Sequence, residues 1–133
     1  MTALLLDTHV WVWWVSRPER LSRRQRSSIE RTLRRPDAAV LVSMISCWEV
    51  AVLCQHRRFR FAIPVESWLE EATSLPGIEV VPLSLPIIVT AARLTALRDP
   101  ADMLIVATAQ HGGARLVTSD ARIAETDLIP IVS

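Results

Sequence analysis

The sequence predicts a single α/β domain whose core is a mainly parallel sheet of four to five strands flanked by helices. Three observations carry that expectation. The chain opens on an unbroken apolar run, Ala3-Leu4-Leu5-Leu6, that ends on Asp7, and such a run suits a strand covered on both faces. Strand-like stretches then alternate with helix-like ones, the pattern of βαβ units with right-handed crossovers. Finally, 133 residues, half of them hydrophobic, with a mean hydropathy of +0.28, make one domain over 1–133 with one continuous core and exclude a disordered chain.

In chain order, Asp7 ends the first strand, where open α/β sheets place their ligands; it can equally cap the helix that follows. That helix, Val10 to Val15, carries Trp11, Trp13 and Trp14. Trp11 and Trp14 share a face, a core stripe unless they stack on nucleic-acid bases. After a turn at Pro18, Ser22 caps a helix to Arg34, with Ile29 and Leu33 facing inward. Residues 17–35 hold eight arginines against Glu19 and Glu30, a local balance of +6. Such a face is either simply solvated or meets phosphate or an acidic partner.

Pro36-Asp37 breaks that helix, and Ala39 to Val42 forms a second buried strand. Ser43 caps the next helix, Met44 to about His56. Its Glu49 stands among Ile45, Trp48, Val50 and Leu53, and an acid in such company needs a partner. Arg57 to Arg60 is a basic turn beside Phe59 and Phe61. Pro64 opens a helix from Val65 to Thr73 anchored by Trp68 and Leu69. After the Pro76-Gly77 turn, Ile78 to Leu83 is the third strand and Pro86 starts a helix from Ile87 to about Leu97.

Asp99-Pro100 reads as a helix cap followed by the first helical residue. Asp102 then falls in the first turn, where the helix dipole favours its ionised form. The helix closes at Gly112-Gly113. Ala114 to Thr118 is a fourth strand, with Ser119-Asp120 at its carboxyl end. Ala121 to Glu125 is a short helix, and Ile129 to Val132 is an edge strand because it contains Pro130.

The two cysteines, Cys47 and Cys54, lie seven apart on one helix. That spacing is about 10.5 Å along the axis, too far for a disulfide. With no C-x-x-C pair, no signal peptide and no apolar run near the roughly 20 residues of a spanning helix, a cytoplasmic protein without a membrane segment is expected. All fifteen basic residues are arginine; coding bias explains this as well as phosphate recognition does.

The alternation of strands and helices puts Asp7, Asp120, Asp102 and Glu49 on one rim of the sheet. Carboxylates gathered in one pocket raise one another's pKa unless a cation lies between them. Oxygen-only ligands fit Mg²⁺, with Mn²⁺ as a substitute, rather than zinc or copper. His9, His56 and His111 form no ligand pair by spacing. A hard divalent cation that activates water points to phosphodiester hydrolysis.

These residues carry a resemblance. Leu-Leu-Asp7-Thr8-His9, Ser43 through Trp48-Glu49, Asp99-Pro100-Ala101-Asp102 and Val117-Thr118-Ser119-Asp120, in that order, resemble the PIN-domain nucleases and among them the VapC-type toxins. The resemblance implies an α/β/α sandwich and a Mg²⁺-dependent endoribonuclease, with Asp7, Glu49, Asp102 and Asp120 as catalytic and metal-site acids. It also implies RNA as substrate and a VapB-type antitoxin as partner, and a homodimer is expected. Met103 stands where such relatives often carry a basic residue. A structure-specific DNA nuclease and a non-catalytic nucleic-acid- or antitoxin-binding module are the alternatives. A phospho-receiver domain is disfavoured, because it needs a lysine near its acids and the chain has none.

Overall fold

The computed structural model describes residues 2–133. Five strands, β1 (Thr2–Leu6), β2 (Ala38–Ser43), β3 (Ile78–Val81), β4 (Arg115–Val117) and β5 (Ile131–Val132), form one sheet in the order β3-β2-β1-β4-β5. Every pairing is parallel. Seven helices cover it: α1 (Thr8–Ser16), α2 (Arg23–Leu33), α3 (Met44–Gln55), α4 (Val65–Thr73), α5 (Leu85–Ala92), α6 (Pro100–Gly112) and α7 (Ala121–Ala124). The result is the expected α/β/α sandwich.

The apolar run of β1 is unbroken because both its faces are covered. Leu4 and Leu6 pack with Val10, Trp11, Ile29, Val50 and Trp68 on one side. Ala3 and Leu5 pack with Ile105, Val106, Ala109 and Ile123 on the other. That is the two-residue alternation of a strand serving two cores. Trp11 is fully buried and meets Trp68 edge-on at 5.1 Å. Trp14 is only half-buried at the margin of the same cluster. The tryptophan stripe is therefore core, as its spacing implied.

Several elements are shorter than the sequence suggested. β3 stops at Val81 because Pro82 cannot donate to the ladder. The helix expected over 87–97 runs from Leu85 to Ala92, capped by the Ser84 hydroxyl, and gives way to turns closed by Thr95 N–H to Arg93 O and Leu97 N–H to Leu94 O. Pro130 lies just outside β5, but its carbonyl accepts the Leu116 N–H at 2.9 Å, so the edge position holds. Gly77, at φ +85°, holds a conformation that favours glycine, and an added Cβ would stand 2.5 Å from the Leu33 Cδ2 methyl, which would have to shift.

The end of α3 is unusual. Arg57 donates to Cys54 O and Arg58 to Leu53 O, both backbone N–H groups, which is a Schellman closure. Its left-handed position is normally glycine, yet Arg57 occupies it at φ 58°. A residue with a Cβ pays about 1 kcal/mol there relative to glycine.

Candidate active site

The parallel sheet puts the carboxyl ends of β1 and β4 and the amino ends of α3 and α6 on one rim. Asp7 follows β1, with its N–H still bonded to Val117 O at 3.0 Å, and its Oδ1 caps α1 by accepting the Thr8 N–H at 2.8 Å. The two sequence readings of Asp7, cap and rim carboxylate, are thus both true. Asp120 ends the loop after β4 and caps α7. Asp99 caps α6 by accepting the Ala101 N–H at 3.1 Å, and Asp102 projects from the first turn. Asp7, Glu49, Asp99, Asp102 and Asp120 line one cleft of about 260 Å³, joined there by His9 and Arg122. The structure brings together all four acids picked out from the sequence.

Two threonines, not anticipated from the sequence, hold the cleft in shape. The Thr118 hydroxyl donates to Asp7 Oδ2 at 2.6 Å. The buried Thr8 hydroxyl donates to Glu49 Oε1 at 2.5 Å and lies 2.8 Å from the Ser46 hydroxyl. Thr8 has one proton to give, and the charged acceptor makes the stronger bond, so Ser46 donates back to it. Both threonines stand in the motifs that carry the resemblance, but nothing in the sequence marks their hydroxyls as partners of Asp7 and Glu49. Trp13 and His9 also line the cleft. His9 is exposed and its ring is held edge-on by Trp13 and Phe59, with centroids at 5.8 and 5.2 Å.

The electrostatics divide the acids. Asp120 is balanced: Arg122 reaches its Oδ2 at 3.1 Å and Oδ1 at 3.3 Å, and this pairing holds its carboxyl below the usual range. The other three are pushed upward. Burial raises Asp7 against the opposing pull of its hydrogen bonds to Thr118 and Thr8. Burial raises Glu49, and Asp7 and Asp99 add to it. Asp102 makes no side-chain hydrogen bond among the described residues. Burial first, then repulsion from Asp99, Asp7, Asp120 and Glu49, lifts it from 3.8 to about 7.

Raised acids have a measurable consequence. Between pH 3.8 and about 7 the folded Asp102 keeps a proton that the unfolded chain has released. Its contribution is therefore complete below pH 3.8 and is lost as pH rises through about 7. Asp120, whose pKa is lowered, acts only at more acidic pH and in the opposite sense. In EDTA the melting temperature is expected to fall as pH rises from 5 to 8, read by circular dichroism. Asp102→Asn should flatten that slope, and a melting curve that rose over this range would contradict the assignment.

The donor set fits a hard divalent cation: four carboxylates supply oxygen ligands, with an excess of negative charge that Arg122 and His9 offset only in part. Among the described residues no three of these groups already stand close enough to grip one ion. No helix among the described residues is long and apolar enough to cross a membrane.

The chain is similar to known proteins in both sequence and fold. The family model described as PIN domain matches residues 4–128. The chain is 39% identical over 125 residues to Ribonuclease VapC22 of Mycobacterium tuberculosis, covering 92% of this chain and 91% of that protein. Among solved structures it is similar to VapBC2 from Rickettsia felis bound to a DNA fragment from its promoter, with a TM-score of 0.72 at 15% identity over 98% of this chain and 97% of that one. VapBC-1 from nontypeable Haemophilus influenzae gives a TM-score of 0.70 at 15% identity, covering 98% of this chain and 96% of that one.

Proposed function

The chain belongs to the PIN-domain family, and on that premise we propose that it is a Mg²⁺-dependent endoribonuclease acting as the toxin of a toxin–antitoxin pair. The observation that carries the reading is the cleft itself, with Asp7, Glu49 and Asp102 all raised by burial and repulsion, Arg122 already committed to Asp120, and His9 the other basic side chain on its wall. Likeness to a ribonuclease over 92% of the chain supports RNA as the substrate. Likeness to VapBC complexes supports a VapB-type antitoxin as the partner. A homodimer in the cytoplasm completes the proposal.

Asp7, Glu49 and Asp102 would hold the cation, with Asp120 at the outer side; Mn²⁺ would substitute. When bound, it would supply Lewis acidity toward a phosphoryl oxygen and acidify a water molecule. The chain's own groups do the rest. Thr118 and the Thr8 N–H fix both oxygens of Asp7, and the Thr8 hydroxyl fixes Glu49. Asp102, with no side-chain hydrogen bond among the described residues, projects into the cleft from the first turn of α6 and is left free to serve the cation. Arg122 keeps Asp120 ionised at the cleft edge.

Incubation of the purified protein with single-stranded RNA and with DNA of the same sequence tests this. RNA cleavage is expected in Mg²⁺ or Mn²⁺, to be lost in EDTA and restored by added metal. Cleavage that persisted in EDTA would overturn the metal site, and cleavage of DNA alone would favour the DNA-nuclease reading.

A further inference from the structure

Away from the carboxylate cleft, on the face of the sheet that α2 covers, lies a furrow of about 410 Å³. Arg31, Arg34 and Arg35, at and just past the end of α2, and Arg115 at the start of β4 form its walls. The floor is Leu4 with the buried Ser28 and Thr32. β4 pairs with β1 so that Arg115 stands opposite Leu4. Leu4 is three residues before Asp7, so the furrow is about 10 Å along the strand from the cleft. No carboxylate lines it. Arg35 has an ion-pair partner, the exposed Asp37 at 3.5 Å. Arg31, Arg34 and Arg115 have none among the described residues.

Ser28 supplies an independent observation. It is only 6% exposed, yet its hydroxyl makes no hydrogen bond among the described residues, while that of Thr32 is satisfied by Ser28 O at 2.8 Å. A polar side chain this buried ordinarily has a partner, and the opening it faces is the furrow. The helix also connects the furrow to the cleft. Gln25, in the first turn of α2, donates to the Ser119 hydroxyl at 3.0 Å, and Ser119 lines the cleft. From there α2 runs back about 16 Å. Arg24, Ser28, Arg31 and Arg35 repeat along one flank at helical spacing, and Glu30, the only acid on the helix, is off that flank.

We infer that this furrow, with the helix flank leading to it, is a second contact for the RNA, gripping backbone phosphates while the reacting segment of the strand lies in the cleft. That the polymer is RNA rests on the ribonuclease reading. That the contact is with phosphate follows from the lining. A guanidinium pairs bidentately with phosphate, and the Ser28 hydroxyl adds a neutral donor. No aromatic ring lines the furrow, so bases have nothing to stack on and the contact reads no sequence. Leu4 is the one apolar residue of the lining, which leaves an acidic peptide no pocket for an anchoring side chain. Arginines continued along a helix flank suit a chain of phosphates rather than one small anion.

The test separates holding from cutting. Fluorescence anisotropy in EDTA would follow labelled 24-nucleotide oligo-U and oligo-A RNA at several salt concentrations. Arg31→Gln with Arg115→Gln should bind both about tenfold more weakly than wild type, with the salt slope reduced by about 1.4. Arg31→Ala with Arg34→Ala leaves β4 untouched and should lose as much, so the result stands even if the Arg115 variant folds poorly. Arg93→Gln with Arg98→Gln makes the same change of charge outside the furrow and should stay within about twofold of wild type. In Mg²⁺ the furrow variants should raise KM for the 24-nucleotide substrate and leave kcat unchanged. RNA affinity no weaker in the furrow variants than in the charge-matched control overturns the inference. So does a loss that differs between oligo-U and oligo-A, because bases are then read. So does inorganic phosphate that raises the melting temperature of wild type but not of the variants while RNA affinity is unchanged, which makes the furrow a small-anion site. RNA held through the furrow but never cut in Mg²⁺ sustains the furrow while removing the nuclease reading. Cleavage by furrow variants with unchanged KM does the reverse.

Discussion

Asp102→Asn is expected to abolish RNA cleavage while leaving the protein folded and, in EDTA at pH 7.5, more stable than the parent. The two effects have one origin. Asp102 is half-buried beside four other acids, and burial first, then their repulsion, lifts its carboxyl to about 7. Asparagine keeps the shape and removes the repulsion, so the melting temperature rises when no cation is present. It also removes the one cleft carboxylate without a hydrogen-bonded partner, and cleavage should fall at least about a hundredfold, as losses at metal-supporting positions do. Asp99, three residues earlier, provides the contrast. Its carboxylate accepts the Ala101 N–H at 3.1 Å, so Asp99→Ser keeps the cap and should preserve fold and most activity. Asp99→Ala should cost about 1 kcal/mol of stability. Equal loss of activity in Asp99→Ser and Asp102→Asn would place Asp99 in the metal site. Asp120→Asn should be milder than Asp102→Asn, since Arg122 already balances that charge.

Thr8→Val carries the second large expected effect. The replacement is nearly isosteric in a fully buried position, so little packing changes. What disappears is the only side-chain hydrogen bond that fixes Glu49 among the described residues, together with the partner of the Ser46 hydroxyl. Stability should drop by about 1 kcal/mol, and cleavage by about 10–100-fold, the range for partners that orient a metal-site ligand. Thr8→Ser restores a hydroxyl at the same place and should recover most of the activity. If Thr8→Val cleaves RNA at the parent rate, Glu49 is either positioned by other means or not needed.

The two residues on which these effects turn differ in how far the sequence revealed them. Asp102 was visible because Asp99-Pro100 marks a helix start, which fixes the turn on which Asp102 lies. Asp7 and Asp120 were visible because each ends an apolar run, and parallel strands send their ends to one rim. Glu49 stood out as an acid on a largely apolar helix. The element pattern was legible for the same reason: β1 and β2 are continuous apolar runs bounded by polar residues, and α4 matches its expected span of Val65–Thr73. Thr8 and Thr118 were not legible, because a threonine beside an acid is common and its hydroxyl matters only when another strand or helix brings a carboxylate to it. The arginine furrow escaped notice for a similar reason. Arg115 lies far from Arg31 to Arg35 in sequence, and only the pairing of β4 with β1 beneath α2 gathers them. The short α5 was misjudged because Leu94 and Leu97 continue an apolar pattern through a segment that the backbone closes with turns.

The central claim is that the cleft of Asp7, Glu49, Asp102 and Asp120 is a divalent-cation site, and calorimetric titration of Mn²⁺ into metal-free protein tests it most directly. The account predicts saturable binding that releases more protons at pH 6.5 than at pH 8, because the ion displaces the proton held by Asp102, and that disappears in Asp102→Asn. Binding of equal affinity in the parent and in Asp102→Asn, with the same proton release at both pH values, would contradict it.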